Sequence, residues 1–252
     1  MPIRRTIVRV LRTARRFVLT VGVPRLSLQV IEELPHDPQA FTQGLCYVDG
    51  CLLESTGRIG SSTLRRVDPA AGKVLQTVEV PDDWGEGIAL IGDEVIQLSY
   101  KTGIARRYHW PTLERRQPDY HYEGEGWGLV AFGQQLLMSD GSARLRRMGA
   151  NFSPIGVVCF KRFGIEMRRI NDLAWDGKHL LANVLSDTYL YRLDPSHGSI
   201  TGVVDCRPLV ARVGPMRTDH VLNGITATEA DGEFLLTGKC WPKLLRVRIA
   251  QL

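Results

Sequence analysis

Five stretches of this 252-residue chain follow one plan, and no other property restricts its fold as strongly. Each opens on a short polar-or-aromatic, small-residue and aliphatic start, runs through a few apolar residues, turns, and continues in a second apolar run. They are TQGLCYVDGCLLESTG (42–57), GEGIALIGDEVIQLSY (85–100), GWGLVAFGQQLLMSDG (126–141), INDLAWDGKHLLANVL (170–185) and LNGITATEADGEFLLTGK (222–239). Anchored at Gly44, Gly87, Gly128, Asp172 and Gly224, successive copies lie 43, 41, 44 and 52 residues apart. Four copies carry hairpin dipeptides between the runs: Asp49-Gly50, Gly92-Asp93, Asp176-Gly177 and Asp231-Gly232. The third has the weaker Gly133-Gln134.

A third run follows in every copy, at 64–68, 105–110, 143–148, 189–194 and 243–248, with apolar and basic residues alternating as in a half-exposed strand. A fourth follows in four copies, at 73–80, 114–122, 154–161 and 199–206. The last copy has none, but LSLQVIEEL (26–34) is an unassigned strand near the start. Four strands every forty-odd residues read as an all-β, five-bladed β-propeller with four-stranded blades. Residues 26–252 form one domain, and the N-terminal strand closes the ring beside 243–249.

Residues 1–25 are a basic leader or tail. They hold seven arginines and no acid, which leaves 25 basic against 27 acidic residues in the body and removes the case for a nucleic-acid partner. Ile7, Val10, Leu11, Ala14, Phe17, Val18 and Val21 recur at helical spacing. The apolar FVLTVGV (17–23) behind basic residues reads as a weak export signal, and the protein is expected to be secreted or periplasmic. The other reading is an amphipathic tail, unstructured or lying on an anionic surface. No run approaches eighteen apolar residues, so stable membrane insertion is not expected. Five cysteines without CxxC spacing, and six histidines without HxH or HxxxH, give no metal site and read as buried thiols and turn residues.

In a propeller the first strand of each blade is innermost. The residue before each anchor then lines the channel: Gln43, Glu86, Trp127, Asn171 and Asn223. One carboxylate, one indole and three amides at a single level describe either a pocket or a merely solvated channel. Glu86 lies between Gly85 and Gly87 beside Trp84, so loss of solvation would raise its proton affinity. Trp127, between two glycines, reads as a stacking wall. The second strands end at Tyr100, Leu185 and Lys239. Lys239 is placed to steady a developing negative charge, to pair with Glu86, or simply to lie along the surface.

Segments HDPQAFTQGL (36–45), LLESTG (52–57), WGEGI (84–88), EGWGL (125–129), INDLAW (170–175), LANV (181–184), LNGI (222–225) and LLTGKCWPKL (235–244) resemble the plant and bacterial glutaminyl cyclases, or glutamine cyclotransferases. The resemblance runs from about residue 26 to the C-terminus. It implies a five-bladed propeller acyltransferase that converts an N-terminal glutaminyl residue to pyroglutamyl and releases ammonia. The implied partner is a peptide or protein with N-terminal Gln, and no cofactor or metal is implied; the protein is expected to be a monomer. Carried over by motif, Glu86 is the catalytic acid/base. Phe41, Gln43, Trp84, Tyr100, Trp127, Asn171 and Lys239 bind substrate. The chain departs from the family pattern at Tyr100 and Leu185, where Trp is common, and at Ala174, where an acid is common.

Two further classes fit the channel residues. One is a calcium-dependent lactonase or esterase using oxygens of Glu86, Asn171 and Asn223. The other is a propeller that binds without catalysis.

Overall fold

Strand Arg25–Pro35 runs antiparallel to the last strand, Lys243–Gln251, from Leu26 opposite Gln251 to Pro35 opposite Lys243. It thus supplies the outer strand that the fifth repeat lacks. A bulge between Val30 and Glu32 absorbs one extra residue in the pairing. The computed structural model describes residues 13–214 and 217–251.

The first repeat becomes four antiparallel strands in chain order, Thr42–Val48, Cys51–Thr56, Thr63–Asp68 and Lys73–Glu79. The second (Gly85–Ile91 through Arg115–His121) and the third (Leu129–Phe132 through Pro154–Cys159) repeat that order. The fourth occupies Ile170–Trp175 through Ser199–Asp205, and the fifth adds Leu222–Ala227 and Glu233–Gly238 to the terminal pair. Asp49 and Gly50 both take the left-handed conformation their sequence favours, with φ of 49° and 74°, whereas in the other three dipeptides only Gly92, Gly177 and Gly232 do so.

Burial falls from the inside of each unit outward. Strand Glu94–Ser99 is buried throughout, whereas Lys73–Glu79 is largely exposed. The five first strands touch one another in chain order, and the fifth returns to the first. Each junction between neighbouring units holds its own apolar cluster. Leu53, Leu64, Ile88, Val95 and Tyr108 fill the one between the first and second units, and Leu45, Leu52, Val67, Leu235 and Leu244 fill the one between fifth and first. The anchor glycines follow from the crowding at the centre. A Cβ on Gly44 would lie 2.8 Å from Gly87 Cα, one on Gly87 2.5 Å from Leu129 N, and one on Gly128 2.1 Å from Asn171 O.

Three features lie beyond the repeat pattern. Arg25 and Leu26 also pair in parallel with Val203 and Val204, which joins the fourth and fifth units into one eight-stranded sheet. Gly202 permits the joint, because a Cβ there would meet the Leu26 side chain at 2.8 Å. A short helix, Arg207–Val213, buries Leu209 between these units. Residues 13–20 are helical, and Leu19 and Val23 enter the cluster between the third and fourth units. No helix among the described residues is long and apolar enough to cross a membrane. All five cysteines are free thiols, with Cys206 and Cys240 buried.

Candidate active site

The two mouths of the ring differ in chemistry. Where the first strands end, a cavity of about 210 Å³ is lined by apolar residues including Leu90, Val130 and Trp175. Where they begin, the side chains are Gln43, Glu86, Asn171 and Asn223, all buried, and Trp127, half-buried. The predicted candidates are linked into one network at that end.

Glu86 stands at its middle. A Cβ on Gly85 would meet Thr56 O at 2.7 Å, so both glycine neighbours are pressed against adjoining strands and Glu86 alone carries a side chain there. Its carboxyl is only 5% exposed and accepts a hydrogen bond from Gln43 Nε2 at 2.9 Å. Burial pushes its pKa well above the usual carboxylate range. Lys239 opposes that shift and Asp172 adds to it. The Trp84 indole N–H also favours the charged form, though from outside ordinary hydrogen-bond geometry, and Glu125 disfavours it.

Lys239 is buried, 7% exposed, rather than lying along the surface. Burial lowers its pKa, against the upward pull of Glu86 and Asp172. Opposite shifts bring the proton affinities of Glu86 and Lys239 towards each other, the condition under which a proton is moved at little cost.

Aromatic side chains wall this pair. Phe41 meets Trp84 edge-on with centroids 5.9 Å apart, and Trp84 meets Tyr100 at 6.1 Å. Lys239 Nζ and the Arg58 guanidinium lie 4.8 and 4.2 Å from the Phe41 ring centre. Gly57 makes the room: a Cβ there would lie 2.5 Å from Trp84 Nε1 and 2.8 Å from Gln43 Nε2. Trp127 donates its indole N–H to Glu125 at 2.9 Å, and burial, with the nearby Glu125 and Glu86 charges, raises the Tyr100 pKa.

The amides form a knot below. Asn223 donates to the carbonyls of Thr42 and Gln43 at 2.9 and 3.1 Å, which orients its amide. Its Oδ1 then accepts from Asn171 at 2.5 Å and from Asn183 at 3.1 Å. The oxygen that a calcium site would need from Asn223 is therefore turned onto two N–H donors. Among the described residues, no group of three or more His, Cys, Asp or Glu side chains is placed to hold a metal ion.

Asp172, Glu125, Asn183 and Arg58 were not among the predicted site residues. Asp172 is fully buried; its Oδ2 accepts from Ile225 N at 2.9 Å while Oδ1 has no partner. Burial raises its carboxyl to about 8, against the pull of the Ile225, Leu173 and Leu45 amides. The signal for it was present in the sequence: an acid occupies the anchor that is glycine in the other four repeats. Leu185 is half-buried beyond the end of its strand and donates its N–H to Arg169 O at 2.9 Å.

An all-β array of four-stranded units with a buried acid, amides and aromatic rings at one mouth defines a class of small-substrate pocket built on a sheet scaffold. Within that class, residues 6–249 match the model of the glutamine cyclotransferase family, and the chain belongs to that family. A glutaminyl-peptide cyclotransferase of Arabidopsis thaliana is 35% identical over 233 residues, which are 89% of this chain and 72% of the plant protein. The crystal structure of Myxococcus xanthus glutaminyl cyclase superposes with a TM-score of 0.85 at 30% identity, covering 91% of this chain and 99% of that one.

Proposed function

We propose that the protein is a glutaminyl-peptide cyclotransferase, a five-bladed propeller that closes an N-terminal glutaminyl residue to pyroglutamyl with release of ammonia. The observation that carries the reading is the buried Glu86, bonded to Gln43 and within the field of the buried Lys239. Beside it, Gln43 Oε1 and Trp84 Nε1 are buried without partners, an acceptor and a donor that suit the two ends of a substrate carboxamide.

In the reaction the substrate's neutral α-amine attacks its own γ-carboxamide carbon. The new N–C bond closes the five-membered ring, and the C–NH₂ bond breaks. Phe41, Trp84 and Tyr100 hold the side chain folded for that attack. Glu86 takes the proton that the amine loses and delivers it to the departing ammonia, so one carboxyl serves both steps. Lys239 steadies the tetrahedral oxygen or returns charge to Glu86 as the proton moves.

Ammonia release from a Gln-initiated peptide tests the reading, with the same peptide N-acetylated as the blank. Glu86→Gln keeps shape and hydrogen bonding but cannot take a proton, and should lose about 10²–10⁴-fold in rate. Near-wild-type turnover in that variant would remove Glu86 from its role.

A further inference from the structure

The hairpin Lys161–Arg162 / Ile165–Glu166 turns through Phe163 and Gly164, with φ of 48° and 77°. Such a turn favours Asn or Gly, and a phenylalanine in the left-handed region is disfavoured. Phe163 is nevertheless placed there and is 72% exposed. The ring lies against its own neighbour, with the Arg162 guanidinium 4.9 Å from its centre.

The N-terminal helix lies along this hairpin. Arg15 donates to Glu166 O at one end, and Arg162 donates to Val21 O at 2.8 Å at the other. Leu19 and Val23 face the core, so the apolar stripe Ala14, Phe17, Val21 points outward, with Phe17 67% exposed. Phe17, Val21, Phe163 and Ile165 thus make an apolar surface on two adjoining elements. Its border is cationic: Lys161 and Arg168 are exposed, and Arg15 and Arg162 hold the helix in place. Glu166 is the acid within it and is already paired with Arg168. The sequence before residue 13 has the same composition, with Ile7 and Val10 among Arg4, Arg5, Arg9 and Arg12 and no acid.

We infer that this face docks on the surface of an anionic phospholipid bilayer, with Phe163 and Phe17 entering the headgroup boundary and the cations meeting lipid phosphates. An exposed aromatic tip ringed by Lys and Arg is the chemistry that an interface with an apolar interior and negative headgroups recognises. The inference does not rest on the catalytic reading, because the groups that act on Glu86 are Gln43, Trp84, Glu125, Asp172 and Lys239 and none of them belongs to this face.

The test is co-sedimentation of the full chain with vesicles of phosphatidylcholine alone and of phosphatidylcholine mixed with phosphatidylglycerol. Binding is expected to the anionic vesicles only, and to weaken with added salt. Phe163→Asn suits the left-handed turn and leaves the N-terminal residues untouched; it should lower partitioning about tenfold, since one buried phenyl ring is removed. Phe17→Ser should act in the same direction. Equal binding to neutral vesicles, no binding to anionic ones, or unchanged binding of Phe163→Asn overturns the inference. So does a concentration-dependent dimer that Phe163→Asn abolishes, which would make a second copy the occupant.

Discussion

Gln43 Nε2 donates to Glu86 Oε1 across 2.9 Å, joining the first strands of two different four-stranded units. The second polar atom of Gln43 is buried without a partner, so the residue both holds the acid and offers an acceptor beside it. The arrangement depends on the absence of a side chain at Gly57.

Gly57→Ala tests that dependence. The added methyl would sit 2.5 Å from Trp84 Nε1 and 2.8 Å from Gln43 Nε2, and an indole packed on both edges cannot swing aside freely. Overpacking of this kind costs about 1–3 kcal/mol. The expected result is a lower melting temperature together with a fall of about 10–100-fold in kcat/KM, read by thermal shift and ammonia release. Full activity at unchanged stability would show that the pocket yields.

Lys239→Met removes the cation whose field acts on Glu86. Because that cation favours the carboxylate, the carboxyl pKa rises further in the variant. The acidic limb of the kcat/KM profile should move to higher pH, with at least about tenfold loss at neutral pH. A pH–rate series on both proteins checks it, and coincident acidic limbs contradict the pairing.

Asp172→Asn separates pH-dependent stability from catalysis. In the folded protein burial raises the Asp172 pKa to about 8, far above its ordinary 3.8. The folded state therefore binds the extra proton between those values. The contribution is present in full below the ordinary carboxylate range and is lost as pH rises through about 8. Denaturant unfolding at several pH values between them should show wild-type stability falling with rising pH, and the Asn variant falling less. Glu86 shifts in the same direction, so the slope should flatten rather than vanish. Parallel slopes would mean that Asp172 ionises normally.

Leu185→Trp introduces the indole that the family resemblance leads one to expect at this position. The site lies beyond the second strand of its unit, at the repeat position shared with Tyr100 and Lys239. An indole there should add stacking area and raise kcat/KM on small Gln-amides several-fold, about 1 kcal/mol. An unchanged or lower value would count against a specificity role for this position.

Strand order, hairpin turns and the completion of the fifth unit by 26–34 were all legible in the sequence, because they rest on local signals. Alternation places side chains by the period of the strand, and dipeptides such as Asp49-Gly50 set turns without help from the rest of the chain. The channel residues Gln43, Glu86, Trp127, Asn171 and Asn223 followed from the same register. Each recurs at one step of the repeat, and the structure places them together at one mouth.

Only the tertiary structure decided what depends on other units. Lys239 is buried because Phe41 and Glu86, nearly two hundred and more than one hundred and fifty residues earlier, close around it. Asp172 looks from its own strand like an irregular anchor; the Ile225 amide, on another unit, bonds it in the centre. The outward turn of Phe17 follows from Leu19 and Val23 entering the core, a choice that helical spacing alone leaves open. Local propensity is written residue by residue, whereas burial, desolvation and charge coupling exist only after distant segments have met.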